Sequence, residues 1–130
     1  MSSFFLSWYT NLMKNVFLSA TILLSIFLVS RYIFEPTYLY YEFVWLDIPM
    51  HIIGGAAVTF FIASVATFLG QKPSVYYYFA LYLAVAGLWE TYEYMRGIVV
   101  YDALWKYFDS IQDVINGGLG ALFTIALLKK

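Results

Sequence analysis

This 130-residue chain has no cysteine, a single histidine and few charges. The missing cysteine excludes a disulfide framework, a thiolate nucleophile and any sulfur metal ligand. Charged residues make up 12% of the chain, roughly half the share of an ordinary soluble domain. No basic run or patch is present, so nucleic acid is not an expected partner. Phosphate-binding glycine loops, the HExxH pattern and nucleophile motifs are also missing.

Apolar and aromatic residues fill the space. Hydrophobic residues reach 63%, and 12 Phe, 13 Tyr and 4 Trp form an aromatic load suited to membrane interfaces. Four apolar stretches approach the ~20 residues that a membrane-crossing helix needs. They predict an all-α, polytopic membrane protein: one four-transmembrane-helix domain over 1–130, with spans at about 14–34, 47–69, 75–95 and 109–128. The first span follows Lys14 but leads into RYIFEP rather than a small-residue cleavage site, so it reads as a retained helix. Glu35-Pro36 ends it, and Gly70 with QKPS ends the second.

Four spans place both termini and the 70–74 turn on one side, with Lys14, Lys72, Lys129 and Lys130. Arg31, Arg96 and Lys106 fall on the other side, with all eight acids: Glu35, Glu42, Asp47, Glu90, Glu93, Asp102, Asp109 and Asp113. The Lys/Arg bias puts the termini in the cytoplasm. The acids then face outward.

Length forces several acids into the bilayer. The uncharged parts of the third and fourth spans, Val75 to Trp89 and Val114 to Leu128, hold fifteen residues each. At 1.5 Å per residue that is roughly 22 Å, short of the ~30 Å hydrocarbon core. The helices must run on through Glu90 and Glu93, and through Asp113 and Asp109. Ionisable groups at that depth are site candidates by default.

Spacing adds that each helix groups its acids on one face. Asp47 and His51 are four apart, Glu90 and Glu93 three apart, and Asp109 and Asp113 four apart, with Asn116 three further on. Charged faces avoid lipid, so the three should converge. GGAA at 54–57 and GGLGA at 117–121 would let backbones approach closely. DIPMHIIGG and DSIQDVINGG share a D-x3-H/D-x2-G/N-G pattern, which suggests two helical hairpins arranged as a parallel repeat.

Plainer roles stand beside each candidate. Asp47, before Pro49, fits an N-cap, and Asp109 with Gln112 fits a capping box. Arg96 can pair with Glu90 or Glu93 inside the bundle, and Asn116 and the glycines can serve packing. YLYYEFVW at 38–45 and YYYF at 76–79 read as interfacial belts. YDALWKYF, before Asp109, reads as a surface-lying segment, with a lid as the alternative.

LDIPMHIIGG (46–55), WETYEY (89–94) and YFDSIQDVINGGLGAL (107–122) resemble small bacterial inner-membrane proteins grouped as VanZ-like and YjdF-like. The second Glu of WETYEY is closer to the YjdF-like form. The resemblance covers roughly the last two thirds of the chain. It implies a multi-pass protein of the bacterial inner membrane whose matching positions are Asp47, His51, Glu90, Glu93, Asp109, Asp113, Asn116 and Gly120. The activity of these groups is largely undefined; one member is associated with glycopeptide-antibiotic resistance.

Two functions remain open. In one, the outer-leaflet Asp/Glu/His cluster binds a cationic or hydroxyl-rich ligand or stabilises the bundle. In the other, the chain is a metal-dependent intramembrane hydrolase acting on a lipid or cell-wall-precursor headgroup. The candidate metal ligands are Asp47, His51, Glu90, Glu93, Asp109 and Asp113; the candidate catalytic groups are His51, Glu90, Glu93 and Asp113. Arg96 and Asn116 would support them. A thiol-free, carboxylate-rich donor set suits a divalent cation such as Mg, Mn, Ca or iron more than structural zinc. The expected partner is the lipid bilayer, and an oligomer is left open.

Overall fold

Helix α1, Ser3–Val29, opens the chain and runs into a π-helical turn at Ser30–Phe34. The chain then reverses through Tyr38, which adopts a left-handed conformation (φ 57°). A one-turn helix α2, Leu39–Glu42, and a 3-10 turn, Val44–Leu46, lead into α3, Asp47–Phe68. Helix α4 spans Val75–Arg96, and α5 spans Ala103–Leu128. The structure, a computed structural model, describes residues 3–96 and 103–128. Among them there is no strand.

The boundaries follow from local chemistry. Pro49 sits in the first turn of α3, where its missing N–H has no helical partner to lose. Gly70 (φ +71°) closes α3 in a Schellman motif: Gln71 N–H donates to the Ala66 carbonyl (2.8 Å) and Gly70 N–H to that of Thr67 (3.0 Å). The Ser74 hydroxyl then accepts from Tyr77 N–H (3.3 Å) and caps α4.

Helix α3 lies at the centre and packs on α1, α4 and α5, most extensively on α5. Gly55 stands against Gly117, and Gly120 against Ile52 and Ala56. Residue numbers rise together along this seam, so α3 and α5 run parallel. A Cβ at Gly55 would run into the Gly117 backbone, and one at Gly120 into the Ile52 carbonyl. Only glycine permits this approach. The touching pairs Gly55–Gly117 and His51–Asp113 occupy matching places in the two similar stretches.

The interior is made of small and polar residues, and the outside of large apolar ones. Ser19, Thr59 and Ala121 are 0% exposed, whereas Leu88 is 72% and Phe123 65% exposed. That distribution is costly in water and natural in lipid. Ser19 and Ser64 turn their hydroxyls to carbonyls of their own helices, Val16 (3.0 Å) and Phe60 (2.8 Å), whereas Thr124 of α5 reaches the Ala56 carbonyl of α3 (3.4 Å).

Among the described residues, three helical stretches are long and apolar enough to cross a membrane: Thr10–Phe34, Val44–Phe68 and Tyr107–Leu128. Helix α4 has the length but not the hydropathy, because five Tyr and two Glu dilute its apolar run between Val75 and Glu93. The segment expected to lie on the surface before Asp109 is instead the start of α5 from Ala103. Asp102 lies outside the described residues.

Candidate functional site

The N-terminal parts of α3 and α5 and the C-terminal part of α4 enclose a cavity of about 400 Å³. The parallel α3–α5 seam puts Asp47 and His51 beside Asp109 and Asp113, and antiparallel α4 brings Glu90 and Glu93 to the same end. All six residues line the cavity, as sequence spacing predicts.

His51 stands at the junction. Its Nε2 is 3.4 Å from Asp47 Oδ1 and 3.5 Å from Asp113 Oδ2. Both distances are longer than an ordinary N–H···O hydrogen bond. Asp113 is 4% exposed, and its Oδ1 has no hydrogen-bond partner among the described residues. Two groups of potential metal ligands share this residue: Asp47, His51 and Asp113, and Glu90, Glu93 and Asp113. In each group the donor atoms lie within 4.8 Å of one another. Ser110 is the polar neighbour of Glu90, and Trp89 that of Glu93.

Capping does not explain the two end-of-helix aspartates. Leu46, not Asp47, is the residue before α3, and the Asp47 side chain turns to His51. Asp109 is well inside α5, which begins at Ala103, so no helix end is there to cap. Arg96 departs from expectation. It is exposed at the last residue of α4, lies outside the cavity lining and pairs with neither Glu90 nor Glu93. A long cationic side chain at a helix end reaches water more cheaply than it reaches a buried carboxylate. Asn116 also lies outside the lining, and its buried Nδ2 makes no hydrogen bond across the bundle.

Several cavity residues are not evident from spacing. Ser30, Glu35 and Tyr40 enter from the connection between α1 and α3. Glu35 is ion-paired with Arg31 four residues earlier, a relation readable in the sequence. Tyr40 belongs to the expected aromatic belt, but the reversal at Tyr38 turns it back, and its hydroxyl lies 2.9 Å from Ser30 Oγ. Burial pushes its phenol from the usual 10.0 up to about 12, with the nearby Asp47, Glu93 and Glu35 charges adding to the rise and the Ser30 hydrogen bond opposing it. Tyr82, 3% exposed, donates to the Val114 carbonyl (2.7 Å) and floors the cavity. Tyr38, Trp45, Tyr76 and Tyr77 are exposed, as belt residues would be.

The electrostatics have one sign. Among the described residues, Glu35, Asp47, Glu90, Glu93, Asp109 and Asp113 line the cavity, and no Lys or Arg does. The remainder of the wall is apolar, including Ile26, Phe27, Met50, Val58, Val85 and Trp89. Such a site attracts cations and repels phosphate or carboxylate.

These features define an all-helical chain with three helices able to cross a membrane and an Asp/Glu/His cluster at one end of the helices. No protein-family profile, characterised protein or solved structure matches it.

Proposed function

We propose that this chain is a polytopic membrane protein, crossing four times, that binds a cationic ligand in the carboxylate-lined cavity at its outer face. The observation that carries the reading is the wall itself: among the described residues it holds six carboxylates and one imidazole, without a lysine or arginine. Charges embedded in a membrane bundle are rare and face interior sites or each other. Here Arg31 compensates only Glu35. The other five acids lie in the stretches that resemble VanZ-like and YjdF-like proteins, and we place the chain with that group, in the inner membrane with cytoplasmic termini, as part of the same proposal.

The test is thermal unfolding of the detergent-purified chain against Mn²⁺, Mg²⁺, Ca²⁺ and tetramethylammonium. A bound cation raises stability with saturation, by about 2.7 kcal/mol at a hundred times its Kd. That gain should vanish in an Asp113→Asn, Glu93→Gln double variant. No stabilisation by any cation, or an equal gain in the double variant, would overturn the reading.

The two ligand groups meeting at Asp113 favour a second reading, metal-dependent hydrolysis of a lipid or cell-wall-precursor headgroup. On this reading Glu90, Glu93 and Asp113 would hold the metal, and His51 would stay unbound beside it as the general base. Release of phosphate or alcohol from such headgroups, abolished by His51→Ala, tests it; release that survives this change rejects the assignment.

A further inference from the structure

We propose that the cavity is a dinuclear centre for divalent cations, with Asp113 as the bridging carboxylate. The inference rests on the cation-binding reading and names its occupant.

The first argument is the sharing. Asp47, His51 and Asp113 form one compact donor group, and Glu90, Glu93 and Asp113 form another. A carboxylate has two oxygens and can serve one ion with each. Asp113 Oδ2 faces His51 at 3.5 Å, and Oδ1 is free. This places Oδ2 on the ion held by Asp47 and His51, and Oδ1 on the ion held by Glu90 and Glu93.

The second argument is the spacing around His51. Nε2 stands nearly equidistant from the two carboxylates, at 3.4 and 3.5 Å, and within an ordinary hydrogen-bond length of neither. Adjacent donors on one octahedral ion, with bonds of about 2.1–2.4 Å, lie about 3.0–3.4 Å apart. The three groups are arranged as ligands around a common point rather than as a hydrogen-bonded chain.

The third argument is independent of the cluster's composition. Asp113 is 4% exposed, and its Oδ1 lacks any hydrogen bond although the residue lines the cavity. Native proteins rarely leave a buried carboxylate oxygen without a partner, and an unfilled ligand position accounts for it.

The charge count also accommodates two ions. Apart from Glu35, which Arg31 neutralises, five carboxylates line the cavity. Two divalent ions cancel four of those five charges; a single ion leaves three uncompensated within the depth of a bilayer. Carboxylates projecting from several helices, with an i,i+3 pair on one, are how helical bundles hold paired metals. The donors are oxygen-rich with one imidazole, which suits Mn, Mg, Ca or ferrous iron.

The experiment uses the full chain in detergent, stripped with EDTA and reloaded with Mn²⁺. Bound manganese is counted by elemental analysis after gel filtration, and its electron paramagnetic resonance spectrum is recorded. Two ions per chain with an exchange-coupled signal are expected. His51→Ala and Glu93→Gln should each leave one uncoupled ion, and Asp113→Asn should abolish coupling. Elution volume and helical circular dichroism check that each variant is folded. Asp113→Glu, which keeps both oxygens, should retain two ions with altered coupling and provides the readout if Asp113→Asn does not fold. One uncoupled ion per wild-type chain, or coupling that survives Asp113→Asn, overturns the bridged centre and leaves cation binding standing. Stabilisation by tetramethylammonium without manganese uptake does the same. Failure of every cation to bind overturns both.

Discussion

The α3–α5 seam supports both the bundle and the site, so Gly55→Ala tests them together. The added Cβ would overlap the carbonyl oxygen, carbonyl carbon and Cα of Gly117, all backbone atoms that cannot rotate away. Restoring an ordinary contact of about 3.5 Å requires the helices to part by roughly 1.5 Å. Overpacking of this kind costs about 1–3 kcal/mol. The same shift would take the 3.5 Å separation of His51 from Asp113 to about 5 Å. Two donors on one ion, with bonds of about 2.1 Å, can lie no more than about 4.2 Å apart. Gly55→Ala should therefore lose stability and cation binding together. Its neighbour is the control: a Cβ at Gly54 meets nothing within 4 Å. Gly54→Ala should gain about 0.5–1 kcal/mol from the better helix former and bind cations normally. Both effects can be read from unfolding in micelles followed by circular dichroism, with and without Mn²⁺. Equal stability and equal binding in the two variants would refute the close-packed seam.

Other outcomes follow from single contacts. Tyr82→Phe removes the hydrogen bond to the Val114 carbonyl and should cost about 0.6 kcal/mol, the usual scale between membrane helices, measured by the same unfolding assay. Glu35→Gln should change manganese affinity far less than Asp113→Asn, because Glu35 belongs to neither donor group, whereas Asp113→Asn should weaken it at least tenfold in a direct titration. Ultraviolet titration should show Tyr40 ionising near pH 12 rather than 10.0. Because the folded value is raised, the stability it contributes is complete below pH 10 and is lost as pH climbs to about 12. Ser30→Ala removes the hydrogen bond that opposes the rise and should push that ionisation higher still.

Much of this arrangement was readable from spacing. Helical periodicity places Asp47 with His51, Glu90 with Glu93 and Asp109 with Asp113, and the cost of exposing charge to lipid turns those faces together. The glycine pairs announced a close helix contact, and the similar stretches of α3 and α5 meet at matching positions. Capping rules misjudged Asp109, because the Tyr107–Gln112 region looks like a helix start although α5 began earlier, at Ala103. Arg96 was misjudged because sequence separation cannot say whether a flexible cation turns toward a carboxylate or toward water. The inward turn of Tyr40 depends on a π turn at Ser30–Phe34 and a left-handed Tyr38, neither of which has a clear sequence signal. Helix α4 is the least legible as a span, since tyrosine is polar on hydropathy scales yet comfortable at a bilayer interface.

The most direct test is an anomalous-diffraction structure of the manganese-soaked protein. The account predicts anomalous density inside the cavity within bonding distance of Asp113, flanked by Asp47 and His51 on one side and Glu90 and Glu93 on the other. Density confined to surface acids such as Glu42, or a cavity without anomalous signal at saturating manganese, would contradict it.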